Sequence, residues 1–210
     1  MLAALALATA FMAPTTTELV PTDDIWVYPH ASDQKDAYLR VWSIGASDLA
    51  ADADEMEQVS YAYLKFDVSK LPAGKVTEAK LTVTSIASPT YTLEMAKLNP
   101  LVVRPLPSDF TEKTWAYDST SKIKPEKGQE AIFGKGFPET IPTEKEFTIT
   151  IDLMKGPNKF ADYVRKGGTM AISLSSSMDV AGNESRPVYK FFSKDAETAA
   201  KRPVLKIVTE

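Results

Sequence analysis

Residues 60–83 read SYAYLKFDVSKLPAGKVTEAKLTV, and the spacing of their apolar side chains decides the fold. Ala62, Leu64, Phe66 and Val68 occupy one set of alternate positions, and Tyr61, Tyr63, Lys65 and Asp67 occupy the other. A period of two is that of a β-strand with one face in a core. Leu71-Pro72-Ala73-Gly74 breaks the run, since proline fixes φ and glycine accepts positive values. Val76, Ala79, Leu81 and Val83 then resume it, so the unit reads strand, loop, strand.

The same pattern extends in both directions. Residues 24–28 and 38–42 read as short strands, with Tyr38, Arg40 and Trp42 on one face of the second and Leu39 and Val41 on the other. Residues 91–95, 100–106, 146–153, 169–175, 188–193 and 203–208 supply further strands. One helix is predicted over 157–166: Pro157 opens it, Phe160, Tyr163 and Val164 share a face, and Gly167-Gly168 follow its end. Residues 46–57 carry Asp48, Asp52, Asp54, Glu55 and Glu57 without a base and read as a surface loop. Residues 108–143 read as a long connection with Phe110, Trp115, Tyr117 and Phe133 scattered through it. The whole predicts an all-β fold, a two-sheet antiparallel β-sandwich of jelly-roll type with one short helix. Leu39, Leu64, Phe66, Leu81, Ile149, Leu174 and Leu205 are expected between its sheets.

The length of 210 residues suits a single domain, and net charge −4 gives no basic excess for nucleic acid. Without cysteine there are neither disulfides nor cysteine zinc sites. The apolar run LAALALATAFMA (residues 2–13) is too short to span a bilayer, which needs ~20 residues. It reads as the hydrophobic part of a secretory signal over residues 1–13, with Ala8-Thr9-Ala10 as the cleavage candidate, although no basic residues precede it. Residues 14–23 then form a Thr-rich, flexible lead-in, and 24–210 the domain of a secreted or cell-surface protein.

The segment YLKFDVSKLPAGKVTEAKLTV resembles the central motif of the DNRLRE domain, carbohydrate-binding module family 96, which reads YLKFDLS.LP.G..V..AKL.L. Other pieces follow in the family's order. Asp36-Ala37-Tyr38-Leu39-Arg40 resembles D.YVR, Phe192-Ser193-Lys194-Asp195-Ala196 resembles F.S[KR]EA, and residues 202–208 resemble its closing RP.L.V strand. Residues 110–115, FTEKTW, resemble W.E.TVTW except at the first aromatic. The similarity spans residues 24–210. It implies a carbohydrate-binding sandwich that takes uronate-rich polymers such as alginate, with Trp115 largely in the core.

His30 is the only histidine, so triad chemistry has one candidate base, and no nucleotide or hydrolase motif is present. It reads better as a turn residue. The stronger constellation is basic and aromatic: Tyr38 and Arg40, Tyr61, Tyr63 and Lys65, and Lys190 with Lys194, all on outward positions. Side by side, these form a strip on which lysine and arginine pair with uronate carboxylates and tyrosine rings stack on sugars. A structural ion-pair network through Arg40, Lys65 and Asp67 is the competing reading. Asp33 and Asp36, with the acidic loop after them, offer oxygen ligands for a structural Ca²⁺, against a plain solvated loop. The reading reached is a non-catalytic module for an acidic polysaccharide, alginate or pectin-like. The rivals are a structural or adhesive module engaging cell-surface or matrix components, and a lyase or glycosidase with dispersed residues.

Overall fold

The computed structural model describes residues 13–28, 37–49, 58–116 and 120–210. Its 11 strands pair antiparallel and lie in two layers. One layer holds β1 (Thr15–Leu19), β3 (Tyr38–Ser43), β5 (Val76–Ser85), β8 (Phe147–Asp152), β10 (Tyr189–Phe192) and β11 (Val204–Thr209). The other holds β2 (Asp23–Val27), β4 (Val59–Asp67), β6 (Leu101–Leu106), β7 (Gly134–Gly136) and β9 (Thr169–Ser175). In the first layer β5 is central, with Leu81 facing Ile151 of β8 on one side and Leu205 of β11 on the other. In the second, β4 lies between β2 and β9, pairing Leu64 with Asp24 and Ile172. The layers join where the end of β3 meets the start of β4, Trp42 opposite Ser60.

All the side chains expected between the sheets are there: Leu39, Leu64, Phe66, Leu81, Ile149, Leu174 and Leu205 belong to one buried cluster. The alternation in β4 and β5 is therefore the pattern of a strand with one face on this core. Gly74 lies at φ +121, and a Cβ there would run into the carbonyl of Glu210. Glycine thus lets the turn of residues 71–74 lie against the chain end, where Lys75 and Glu210 exchange backbone hydrogen bonds of 2.7 and 2.9 Å. The Arg165 guanidinium closes the turn by donating to the carbonyls of Pro72 and Gly74 at 2.6 Å each.

A second apolar cluster lies on the far side of β4. Ile25, Val27, Val59, Tyr61, Tyr63, Leu106 and Ala171 meet Phe110 there, with Trp115 and Ile123 packed against them. The described parts of the connection from β6 to β7 therefore cover the outer face of the second layer. β4 has apolar contacts on both faces, whereas the outward face of the first layer carries half-buried polar side chains such as Arg40, Lys80, Lys190 and Lys206.

Several local expectations change. Residues 91–95 are not a strand; Tyr91 is buried and α1 (Leu93–Leu98) follows. Thr92 caps it by accepting from the Met95 N–H at 3.2 Å, Glu94 sits in the first turn, and Lys97 pairs with Glu94 at 2.8 Å. The one predicted helix, α2 (Phe160–Val164), is shorter than 157–166; Asn158 instead donates its amide to the Ala131 carbonyl. The lead-in is partly strand, since β1 pairs Thr17 with Ile207 of β11. Threonine's β-branch suits that extended edge. Trp115 is half-buried, between the two clusters, rather than core.

Candidate ligand-binding face

The outward face of the first layer brings together part of the anticipated strip. Leu39 and Val41 of β3 and Tyr189 and Phe191 of β10 enter the core, which leaves Tyr38, Arg40, Lys190 and Phe192 on the opposite side. The register places Lys190 directly opposite Arg40 and Phe192 opposite Tyr38. The Lys190 Nζ stands 4.2 Å from the Tyr38 ring centroid, and the Tyr38 and Phe192 rings are 5.2 Å apart. The Arg40 guanidinium lies 4.7 Å over the Trp26 ring. Tyr28 stacks on that indole at 6.4 Å and meets Trp42 edge-on at 4.6 Å.

The ribbon continues across the same layer. Lys201 stands 4.8 Å over Phe192 and pairs with Glu146 at 2.7 Å. On the neighbouring strands the hydroxyls of Thr82 and Thr150 are 3.2 Å apart. Lys80 and Lys206, opposite one another on β5 and β11, share Glu78 at 2.9 and 3.0 Å. Those two ammonium groups hold the Glu78 carboxyl below its ordinary value, and the Lys80 side-chain bond to it comes first. Glu18 of β1 stands opposite Lys206 and Asp152 of β8 opposite Lys80, so acids and bases alternate across this end of the face.

Tyr61, Tyr63, Lys65 and Lys194 are corrected. Tyr61 and Tyr63 are only 2% and 0% exposed, stacked at 6.0 Å beneath the β6–β7 connection. The Tyr63 hydroxyl donates to the Ile123 carbonyl at 2.7 Å, and its ring lies 5.7 Å from Phe110. The Lys65 ammonium donates to the Phe110 carbonyl, stands 4.7 Å over that ring, and lies 3.7 Å from the Asp23 carboxylate. Lys194 pairs with Glu112 at 2.6 Å and Asp195 at 2.9 Å. For Lys65 the structural reading holds, with Asp23 as its partner; Asp67 is exposed and accepts instead from the Ser69 N–H at 2.9 Å. Alternation tells which residues face outward, but not that a later stretch of chain folds over them. The available signal was the set of aromatics, Phe110 and Trp115, in a stretch otherwise reading as loop.

These ion pairs belong to one network that ties residues 111–114 to β2 and to the turn after β10. Asp23 accepts from the Thr111 hydroxyl at 2.8 Å and from the Glu112 N–H at 3.3 Å. Burial pushes the Asp23 carboxyl up, but Thr111, Lys65 and the Glu112 amide outweigh it and hold it below its ordinary value. Asp24 is 4% exposed, and desolvation pushes its carboxyl up to about 7 against the opposing pull of the Lys194 N–H and ammonium. Burial lowers Lys194, yet its bonds to Glu112 and Asp195 raise it on balance.

Oxygens of Asp24, Glu112 and Asp195 lie within 4.8 Å of one another, a spacing a cation can bridge. The Lys194 ammonium bonds two of these carboxylates, Glu112 and Asp195. Asp33 and Asp36, the expected calcium ligands, lie outside the described residues, as do Asp52, Asp54, Glu55 and Glu57. Asp48 is described; it pairs at 2.8 Å with Arg104, a 1% exposed side chain that also donates to the Ser175 hydroxyl at 3.0 Å. Nothing in the β6 sequence marked that arginine as buried.

No family model matches this chain, and no curated protein is significantly similar to it.

Proposed function

We propose that this protein is an exported, non-catalytic module that binds an acidic polysaccharide on the outward face of the first layer. The observation that carries the reading is the register of β10 against β3, which sets Lys190 beside Arg40 with Tyr38 and Phe192 flanking them. Cations spaced along a sheet face match the carboxylates repeated along a uronate polymer, and the Tyr38 ring and the threonines beside them suit sugar faces and hydroxyls. The extended form of the face fits a polymer better than a single small molecule. Export rests on the apolar run of residues 2–13 and on its small-residue end. No helix among the described residues is long and apolar enough to cross a membrane.

The three described carboxylates that lie within 4.8 Å of one another, Asp24, Glu112 and Asp195, are engaged by Lys194. A structural or adhesive module is the second reading. It is favoured by the burial of Tyr61 and Tyr63 and the pairing of Lys65 and Lys194, which give motif residues a role inside the fold. Affinity electrophoresis in gels containing alginate, polygalacturonate or a neutral glucan separates the readings. Retardation by the uronate gels alone, with no unsaturated or reducing product released, is the expected result. Equal mobility in every gel supports the structural module, and product release supports an enzyme.

A further inference from the structure

We propose a second binding site, for a single carboxylated sugar ring, in the cleft between the β6–β7 connection and the turn from α2 into β9. The cleft has a volume of about 310 Å³, at the lower end of the range for small-molecule sites. Lys124 and Glu126 line it from one side, Tyr163, Lys166 and Thr169 from the other, and Ser108 from the start of the connection. These belong to separate stretches of the chain, so the fold rather than local sequence gathers them.

Each group matches one part of such a ligand. Lys124 and Lys166 have no ion-pair partner among the described residues, so the cleft carries two ammonium groups against the single carboxylate of Glu126. An incoming carboxylate supplies that partner. The Tyr163 hydroxyl is held at 2.7 Å from the Ala171 carbonyl and 3.1 Å from that of Leu106. The ring is thereby fixed at the cleft wall, with the Phe133 ring packed 5.0 Å from its centroid, and the surface it leaves to the cleft can meet the apolar face of a sugar. Lys166 stands 5.2 Å from the centroid of the same ring, so charge and aromatic surface are adjacent. Glu126 accepts sugar hydroxyls, and the hydroxyls of Ser108 and Thr169 donate or accept as needed. An inorganic anion would use the lysines but leave the ring and Glu126 without a role.

The site is independent of the Arg40–Lys190 face and does not need that face to bind anything. NMR titration of the full chain with sodium galacturonate tests it, using galactose and sodium phosphate as controls. Saturable shifts at the Gly167 and Ala171 amides are expected with galacturonate, and clearly weaker ones with either control. Lys124→Gln with Lys166→Gln should weaken galacturonate binding about tenfold, since each such pair contributes a few-fold. The proposal is overturned if galacturonate shifts neither amide, if phosphate binds as tightly, or if the double lysine variant binds as wild type does.

Discussion

The backbone N–H of Lys194 donates to the Asp24 carboxylate at 2.6 Å, fastening the turn after β10 to β2. That carboxylate is buried and its pKa is pushed up to about 7 by desolvation. A carboxyl raised in the folded state favours folding most below its unfolded value of about 3.9, and the contribution is lost as pH rises through 7. The interval corresponds to at most about 4 kcal/mol. Asp24→Asn retains an acceptor for the Lys194 N–H and cannot ionise. Urea unfolding at pH 4, 6 and 8 should show the variant gaining on wild type as pH rises. Parallel stabilities across that range would mean that Asp24 ionises in the fold as it does in water.

Lys65 separates a role in the fold from a role in binding. Lys65→Met keeps the apolar stem but deprives the Phe110 carbonyl and the Asp23 carboxylate of their partner. A loss of about 1–3 kcal/mol in stability is expected, the range for a part-buried acceptor left unsatisfied. Retention of the folded variant on alginate should equal that of wild type. Lower retention with unchanged stability would return Lys65 to the ligand.

Phe66 lies at 0% exposure in the core between the layers. Phe66→Ala should cost about 3–5 kcal/mol, as buried phenylalanines do, through lost transfer energy and the cavity left behind. A denaturation midpoint within about 1 kcal/mol of wild type would place that side chain outside the core.

Much of the fold was legible because alternation is a local property. Leu64, Phe66, Leu81 and Ile149 face the core as their spacing requires, and the Pro72–Gly74 turn falls between β4 and β5. Two local expectations failed, one for a local reason and one for a distant one. The apolar content of TLEMAKL suggests a strand, but the cap at Thr92 and the Glu94–Lys97 pair make it helical. The threonines of β1 suggest a flexible lead-in, and only β11, some two hundred residues away in sequence, decides that they pair. The site was less legible for a non-local reason. Tyr38 with Arg40 and Tyr61 with Tyr63 show the same outward alternation, yet the β6–β7 connection covers only the second pair.

The most direct measurement on the central claim is the affinity for alginate across a salt series, wild type against Arg40→Gln with Lys190→Gln. At physiological ionic strength exposed charges act over only ~8 Å, so binding through Arg40 and Lys190 should weaken steadily as salt is added. The double variant should bind about tenfold more weakly at low salt and show a shallower salt dependence, each contact contributing on the order of 1 kcal/mol. Equal affinity and an equal salt slope for the folded variant and wild type would contradict a ligand-binding role for the Arg40–Lys190 face.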